Sequence, residues 1–228
     1  MRVAVLYTGG KDSTFAMYRA KQQGREVVCL ITLKSENQSS YMFHTANIDW
    51  VKELQAKALG IPMIMKKTKG VKEEELKDLK IALQQAIKKY RIEGVVSGAN
   101  ASEYQRYRVE TVCADLGLRS IAPLWHLDPE KYIIEMMREG FEIIFSAVST
   151  EGMGKDWLGR AFDMQALEDL KKLHAKFGIH IGGEGGEFET FVINGPLFSK
   201  KIQVNVAEKI WQEDHGVFKI NDAKLVKK

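Results

Sequence analysis

The feature that most constrains the fold is a glycine turn near the amino terminus, between an apolar strand and a helix. The segment from Val3 to Met17 reads V-A-V-L-Y-T-G-G-K-D-S-T-F-A-M, so the apolar run breaks at Thr8–Ser13. Two consecutive glycines allow a sharp turn with open backbone amides, and the following helix adds unpaired N–H groups and a positive dipole end. The segment therefore predicts a loop that holds the phosphates of a nucleotide.

The spacing of this loop excludes two common phosphate-binding motifs. A Walker A loop requires glycine, four residues and then Gly-Lys-Ser/Thr, but Lys11 is followed by Asp12, and Val5 stands where the first glycine would fall. The dinucleotide fingerprint requires a third glycine near Ser13 and an acidic residue that closes the next strand, and neither is present. Thr8–Ser13 is therefore either a third kind of nucleotide-binding loop or an ordinary glycine turn between a strand and a helix.

Strand-like and helix-like stretches alternate along the first half of the chain. This alternation predicts an α/β fold with a doubly wound parallel sheet that helices cover on both faces. Helices are predicted after Ser13, from about Asn47, over Glu73–Tyr90 and before Gly117. The predicted strands are Arg2–Tyr7, Glu26–Leu33, Pro62–Met65, Gly94–Ser97 and Ser120–Ala122.

Beyond Pro123 the pattern changes, which predicts a second, smaller α/β domain. We therefore expect a nucleotide-binding domain at residues 1–122 and a substrate-binding domain at residues 123–228. Helices are predicted at Pro129–Glu139 and Asp163–Phe177. The predicted strands are Phe141–Val148, Phe191–Asn194, Ile202–Lys209 and Val217–Ile220, the last three following a segment rich in glycine and glutamate.

Composition agrees with a soluble enzyme and argues against several other classes. The 34 basic and 30 acidic residues give a net charge of +4, which is too small to indicate a nucleic-acid partner. No apolar run approaches membrane-spanning length, and the first strand begins at once, so we expect no signal peptide and a cytoplasmic protein. Cys29 and Cys113 lie in an apolar strand and on an apolar helix face, which predicts reduced core thiols.

Four separated motifs carry a family resemblance. Thr8–Ser13 resembles the S-G-G-x-D-S loop of the PP-loop ATP pyrophosphatases, with Thr8 keeping the hydroxyl of the usual serine. Residues 40–45 (S-Y-M-F-H-T), 97–110 (S-G-A-N-A-S-E-Y-Q-R-Y-R-V-E) and 182–190 (G-G-E-G-G-E-F-E-T) resemble stretches of the diphthine–ammonia ligases, also called diphthamide synthases. The motifs occur in the family order and cover both halves of the chain, which makes the set more specific than any one motif.

The resemblance implies a fold, a reaction and partners. The implied fold is the PP-loop or HUP type, which is similar to the adenine nucleotide α hydrolases. PP-loop enzymes cleave ATP between the α and β phosphates. In diphthine–ammonia ligases, a carboxylate on the modified histidine of translation elongation factor 2, diphthine, is adenylated, and ammonia then displaces AMP to form diphthamide. ATP, Mg²⁺, ammonia and this elongation factor are therefore the expected substrates, cofactor and partners.

The expected strand order and the resemblance together predict the nucleotide site. Ligands of doubly wound sheets bind where the strand order reverses, expected here between the first and fourth strands. Lys11 can offset phosphate charge, Ser13 can donate to a phosphate oxygen, and Asp12 or Glu103 can hold Mg²⁺. Arg106 is favoured over Arg108 as the arginine that faces the nucleotide, and a surface ion pair is the alternative. The predicted nucleotide-binding residues are Thr8, Gly9, Gly10, Lys11, Asp12, Ser13, Ser97, Gly98, Glu103 and Arg106.

The carboxylates of Glu184, Glu187 and Glu189 are the candidates for acceptor chemistry. Like charges repel, so these groups are not expected to bind ATP phosphates directly. They can bind Mg²⁺, receive the cationic part of the substrate, or position ammonia and accept its proton. Glu187 is the leading catalytic candidate, followed by Glu184, with Lys11 as the catalytic cation; a solvated glycine-rich turn is the alternative. Tyr41 and His44 are predicted to contact substrate from a flap after the second strand, with simple packing as their alternative.

Two other enzyme classes and one binding class compete with this hypothesis. A tRNA-modifying sulfur transferase with a PP-loop commonly uses paired cysteines, whereas Cys29 and Cys113 are far apart within predicted regular elements. A glutamine-dependent amidotransferase requires a nucleophilic cysteine, so ammonia is expected to come from solution. A non-catalytic adenine-nucleotide sensor would leave the glutamate motif unexplained. A homo-oligomer is compatible with the sequence, which does not determine the oligomeric state.

Overall fold

The computed structural model describes residues 1–35, 46–69 and 74–228. This part of the chain divides into two compact units. The first unit contains Met1–Thr8 and Asp12–His126, and the second contains Gly9–Lys11 and Leu127–Lys228. Three residues of the predicted phosphate loop are thus grouped with the carboxyl-terminal half of the chain.

The first unit is built on a five-stranded parallel sheet. Its strand order is β3-β2-β1-β4-β5, and every neighbouring pair is parallel. Because β1 lies between β2 and β4, the order reverses at β1 and β4, as the sequence predicts. The strands are β1 (Arg2–Leu6), β2 (Glu26–Ser35), β3 (Met63–Thr68), β4 (Gly94–Val96) and β5 (Arg119–Ile121).

Helices connect these strands and bury apolar faces against the sheet. Leu79 and Leu83 of α4 and Val112 of α5 pack with Ala4 and Ile31 of the sheet in one core cluster. Each such leucine contributes about 1.5–3 kcal/mol by leaving water. The helices are α1 (Lys11–Gln22), α2 (Ile48–Trp50), α3 (Ala56–Leu59), α4 (Glu74–Tyr90) and α5 (Glu103–Asp115), with a π-helical turn (Val51–Gln55) between α2 and α3.

The second unit carries an antiparallel sheet with the strand order β7-β6-β9-β8. Phe145 of β6 is fully buried, and the rings of Trp157, Phe162 and Phe188 lie 4.7–5.1 Å from its ring. The elements are α6 (Pro129–Arg138), β6 (Glu142–Val148), a 3₁₀ turn (Lys155–Trp157), α7 (Met164–Phe177), β7 (Phe188–Asn194), β8 (Lys201–Gln212) and β9 (His215–Val226). The predicted fold class, a doubly wound parallel sheet with a second, smaller domain, is confirmed.

The helices that the structure describes are short compared with a lipid bilayer. The longest of those in residues 1–35, 46–69 and 74–228 is α4, with 17 residues. None of the described helices combines the length and the apolar character that crossing a membrane requires.

Both cysteines lie in the core of the first unit. Cys29 of β2 has no exposed surface, and Cys113 of α5 is 1% exposed. Burial raises the pKa of the Cys29 thiol to about 12. Burial, together with the nearby Glu110 carboxylate, raises the pKa of the Cys113 thiol to about 11. Both groups therefore remain neutral thiols at physiological pH, and a neutral thiol is a poor nucleophile.

We expect the folded protein to resist thiol reagents at pH 8, whereas the unfolded chain reacts at both cysteines. Unfolded thiols ionise near pH 8.5, and the folded thiols ionise only near 11–12. The folded state consequently binds more protons above pH 8.5, so stability should fall as the pH rises from there towards 11. Labelling with a chromogenic disulfide and melting temperatures across this range test the prediction. Rapid labelling of either thiol in the folded protein would contradict it.

Candidate functional site

The phosphate loop, Thr8–Ser13, is closed by hydrogen bonds between its two ends. The backbone N–H of Thr8 donates to the Ser13 hydroxyl over 3.3 Å, and the two side-chain hydroxyls lie 3.2 Å apart. Gly9 has a φ of 85°, a left-handed conformation that favours glycine. The hydroxyl that Thr8 shares with the usual serine is thus used to close the loop.

Gly98, which follows β4, packs directly on the backbone at the start of α1. A Cβ atom at this position would lie 2.8 Å from the Asp12 carbonyl carbon and 2.8 Å from the Ser13 nitrogen. Only glycine permits such a short distance between the two backbone segments. The predicted strand order expects this contact between the loop and the residues after the fourth strand. The neighbouring Ser97 is buried, and its hydroxyl has no hydrogen-bond partner within the part of the chain that the structure describes.

Buried hydroxyl groups form hydrogen bonds with Tyr7, the residue that precedes the phosphate loop. The Thr14 hydroxyl donates to the Tyr7 phenol oxygen over 3.2 Å, and the Thr32 hydroxyl donates to the Tyr7 carbonyl over 2.6 Å. Burial raises the pKa of Tyr7 far above its ordinary value, so the phenol stays neutral. The loop therefore rests on neutral, hydrogen-bonded side chains.

The two remaining predicted nucleotide residues lie near the start of α5. Glu103 is exposed in the first turn of this helix. Arg106 has an ion pair with Glu110, with 3.4 Å between Nε and Oε1, and its guanidinium lies 4.3 Å from the ring centroid of Trp125. The surface ion pair that was the alternative for Arg106 is therefore present, and its contact with nucleotide stays a prediction.

Strand β7 of the second unit holds the glycine part of the phosphate loop. The Val192 N–H donates to the Gly9 carbonyl over 3.0 Å. The Lys11 N–H, at the first position of α1, donates to the Thr190 hydroxyl, also over 3.0 Å. Residues 9–11 thus run beside β7 and are hydrogen-bonded to it at two points.

The Lys11 side chain reaches the glycine-rich segment that precedes β7. Its ammonium donates to the Gly182 carbonyl over 2.5 Å and lies 5.5 Å from the ring centroid of Phe188. Lys11 is 3% exposed, so this cation is almost fully buried. Two of the four resembling motifs therefore meet at one lysine.

Glu187 stabilises the glutamate loop, which we define as residues 180–187. One of its carboxylate oxygens accepts the His180 N–H over 2.6 Å, and the other accepts the Gly185 N–H over 2.9 Å. The backbone carbonyl of Glu187 accepts the Ser149 N–H over 2.8 Å. These contacts give the leading catalytic candidate a role in holding its own loop, and its catalytic role stays a prediction.

Sequence reasoning missed His180 and Thr190 as functional residues. The His180 Nδ1 accepts the N–H groups of Gly182, over 3.1 Å, and Glu184, over 3.4 Å, so this nitrogen carries no proton. A histidine two residues before a glycine-rich turn was the available signal, because its ring can accept the backbone N–H groups that such a turn leaves unpaired.

The other predicted residues have less defined surroundings. Glu184 and Glu189 are partly buried. Tyr41 and His44 lie outside the described residues. Within the described ranges, no group of three or more histidine, cysteine, aspartate or glutamate side chains is placed to hold a metal ion.

The fold and the loop define a class of protein. A parallel sheet in the order β3-β2-β1-β4-β5, with a glycine loop at the reversal point, is typical of nucleotide-binding PP-loop proteins. The family model described as "Diphthamide synthase N-terminal domain" matches residues 1–120, and that described as "Diphthamide synthase C-terminal domain" matches residues 128–226. The chain belongs to the diphthamide synthase family, which confirms the resemblance found in the motifs.

Curated relatives agree with this assignment. A diphthine–ammonia ligase of Rattus norvegicus is 36% identical over 230 residues, which cover 92% of this chain and 85% of the relative. The protein of the same name from Danio rerio is 36% identical over 232 residues, which cover 94% and 90%. The one from Homo sapiens is 35% identical over 229 residues, which cover 92% and 85%.

We expect Gly98→Ala to weaken nucleotide binding by about tenfold or more, because overpacking against the loop backbone costs about 1–3 kcal/mol. Calorimetric titration with an α,β-methylene analogue of ATP measures the effect. Gly24→Ala is a suitable control, since Gly24 has a φ of 75° and open space around its Cβ position. That control should lose about 1 kcal/mol of stability without losing nucleotide affinity. Equal affinities for Gly98→Ala and the wild type would contradict the predicted phosphate site.

Proposed function

We propose that this protein is an ATP-dependent ligase that adenylates the diphthine carboxylate on translation elongation factor 2 and amidates it with ammonia. The products are diphthamide, AMP and pyrophosphate. Family membership and the names of the curated relatives support this proposal. The observation that carries it is the hydrogen bond from the Lys11 ammonium to the Gly182 carbonyl, because it joins the phosphate loop to the glutamate loop.

In the first step, a diphthine carboxylate oxygen attacks the α-phosphorus of ATP. A new P–O bond forms, the bond to the β-phosphate oxygen breaks, and pyrophosphate leaves. Lys11 and the positive dipole end of α1 offset the charge on the departing group. The Ser97 hydroxyl is a further donor, since it is buried beside this loop without a partner among the described residues.

Mg²⁺ is proposed as the metal ion of this step. Asp12, in the first turn of α1, and Glu103, in the first turn of α5, supply the hard carboxylate oxygens that Mg²⁺ prefers. Two carboxylates suit an ion that takes most of its ligands from phosphates and water. When bound, the ion would neutralise charge on the polyphosphate.

In the second step, ammonia attacks the carbonyl carbon of the acyl adenylate. A C–N bond forms, the bond to the AMP oxygen breaks, and the nitrogen loses a proton. Glu184 is proposed to accept this proton, while Glu187 holds the loop through the His180 and Gly185 N–H groups. Glu189 is proposed to contact the cationic part of the substrate, and Tyr41 and His44 are proposed as further substrate contacts.

The burial of both cysteines and their raised pKa values support the use of free ammonia and disfavour the rival enzyme classes. The two cysteines of the chain are both buried thiols with raised pKa values, about 12 for Cys29 and about 11 for Cys113. Neither suits the nucleophile of a glutaminase or a sulfur carrier. We further propose a cytoplasmic protein with its functional division after Ala122 and no direct nucleic-acid partner, while a homo-oligomer is compatible with the sequence.

The decisive experiment combines the purified protein with ATP, Mg²⁺, ammonium and elongation factor 2 that carries diphthine. We expect AMP and pyrophosphate in equal amounts, and an acceptor mass that changes by the exchange of a hydroxyl for an amino group. ADP instead of AMP would indicate phosphotransfer. Unchanged ATP in the presence of the acceptor would indicate a sensor, and either result would overturn the proposal.

The two leading glutamates should behave differently when each is replaced by glutamine. Glu184→Gln should keep the wild-type melting temperature and the ATP–pyrophosphate exchange of the first step, but lose amide formation and the coupled AMP release by about 10²-fold or more, since proton transfer is impaired. Glu187→Gln should lose about 1–3 kcal/mol of stability, because the amide NH2 group that replaces one carboxylate oxygen cannot accept the backbone N–H that this oxygen holds. Thermal melts and separate assays of ATP–pyrophosphate exchange and of amide formation measure these effects. Wild-type amidation by Glu184→Gln would remove Glu184 from the mechanism.

A further inference from the structure

Thr190 is the last residue of the 182–190 motif, and its side chain contacts the phosphate loop. It lies on β7, is 5% exposed, and accepts the Lys11 N–H with its hydroxyl over 3.0 Å. The two residues are 179 positions apart in the chain. The 182–190 motif, whose glutamates are the candidates for acceptor chemistry, therefore ends in a residue that contacts the phosphate loop.

The hydroxyl is needed there because of the helix that begins at Lys11. The first N–H groups of a helix have no partner within it, and a side chain just before the helix usually accepts one of them. Position 10 is glycine and has no side chain to offer. Thr190 supplies this cap from another element, and leaving such a buried N–H without an acceptor costs about 1–3 kcal/mol.

Two further hydrogen bonds fix the same short segment. The Val192 N–H, two residues along β7, holds the Gly9 carbonyl, and the Gly182 carbonyl holds the Lys11 ammonium. Lys11 is thus held by its backbone at Thr190 and by its side chain at Gly182. The side-chain bond is to a neutral carbonyl, which a phosphate oxygen can replace at the same ammonium.

We propose that Thr190 is a positioning residue for the adenylation step. It fixes the backbone of Lys11, so that the ammonium can pass from the Gly182 carbonyl to the departing pyrophosphate without movement of the helix start. This inference rests on the proposed function and deepens it. It assigns the last residue of the glutamate motif to the nucleotide step, so loss of its hydroxyl slows adenylation and leaves the use of ammonia unchanged.

The test compares Thr190→Val, which keeps the shape but removes the acceptor, with Thr190→Ser, which keeps the hydroxyl. The readout is ATP–pyrophosphate exchange with diphthine-bearing elongation factor 2 and no ammonium. Thr190→Val should lower the exchange kcat by about 10- to 100-fold, since small misplacements of a catalytic group have effects of this size. Thr190→Ser should restore most of the rate. The KM for ammonium, measured in the complete reaction, should be unchanged in both variants.

Two additional variants keep the test decisive. Thr190→Ala removes the hydroxyl without crowding and should reproduce the slow exchange if the valine variant does not fold. Thr111→Val is the control for the loss of a threonine hydroxyl, because the exposed Thr111 hydroxyl donates to the Tyr107 carbonyl within α5, over 2.9 Å, and its loss should not affect exchange. Melting temperatures of all variants separate a folding defect from a slow step.

Three results would overturn the inference alone. The first is normal exchange by Thr190→Val in the presence of normal wild-type exchange, and the second is an effect confined to the melting temperature or to the KM for ammonium. Equal loss of exchange in Thr190→Ser and Thr190→Val would also overturn it, because the hydroxyl would then not be the group that matters. Absence of exchange and of AMP with the wild-type protein would overturn the proposed function, and with it the role of Thr190.

Discussion

The position of Lys11 depends on hydrogen bonds to residues far away in the sequence. Its N–H donates to Thr190 and its ammonium to the Gly182 carbonyl, while Val192 holds the neighbouring Gly9. A buried ammonium requires such partners, because an unpaired charge in the interior is costly. The phosphate loop is therefore a local turn in sequence, but its central residues take their conformation from β7 and the segment before it.

The glutamate loop illustrates how a motif that suggests catalysis can also be structural. Glu187 and the His180 ring each accept two backbone N–H groups of this loop, which is rich in glycine and has few side chains to satisfy them. A carboxylate suits this task because each of its two oxygens can accept a hydrogen bond. An imidazole nitrogen suits it because two N–H donors can share its lone pair. The same loop holds the backbone of Glu184, the residue proposed to accept the proton from ammonia, through its N–H bond to the His180 ring.

Much of the fold could be predicted from the sequence. Alternating strands and helices predicted the parallel sheet, and the point of strand reversal was expected at β1 and β4, where it lies. The terminal hairpin was predicted too short: β9 spans His215–Val226 instead of Val217–Ile220. Its polar, exposed residues lack the apolar alternation that marks a half-buried strand, since pairing with β8 rather than burial holds them extended. The π-helical turn before α3 likewise has no local signal.

The sequence alone determined the strand, glycine turn and helix of the phosphate loop, and it determined the family through four motifs. These features depend on neighbours in the chain, namely glycine conformations, helix periodicity and short spacings. Only the tertiary structure decided that Thr190 caps α1 and that Gly98 contacts the Asp12 backbone. It also decided that both carboxylate oxygens of Glu187 accept N–H groups of its own loop. The partner of a buried donor or acceptor is whichever group folding brings within hydrogen-bonding distance, and a linear pattern does not encode that distance.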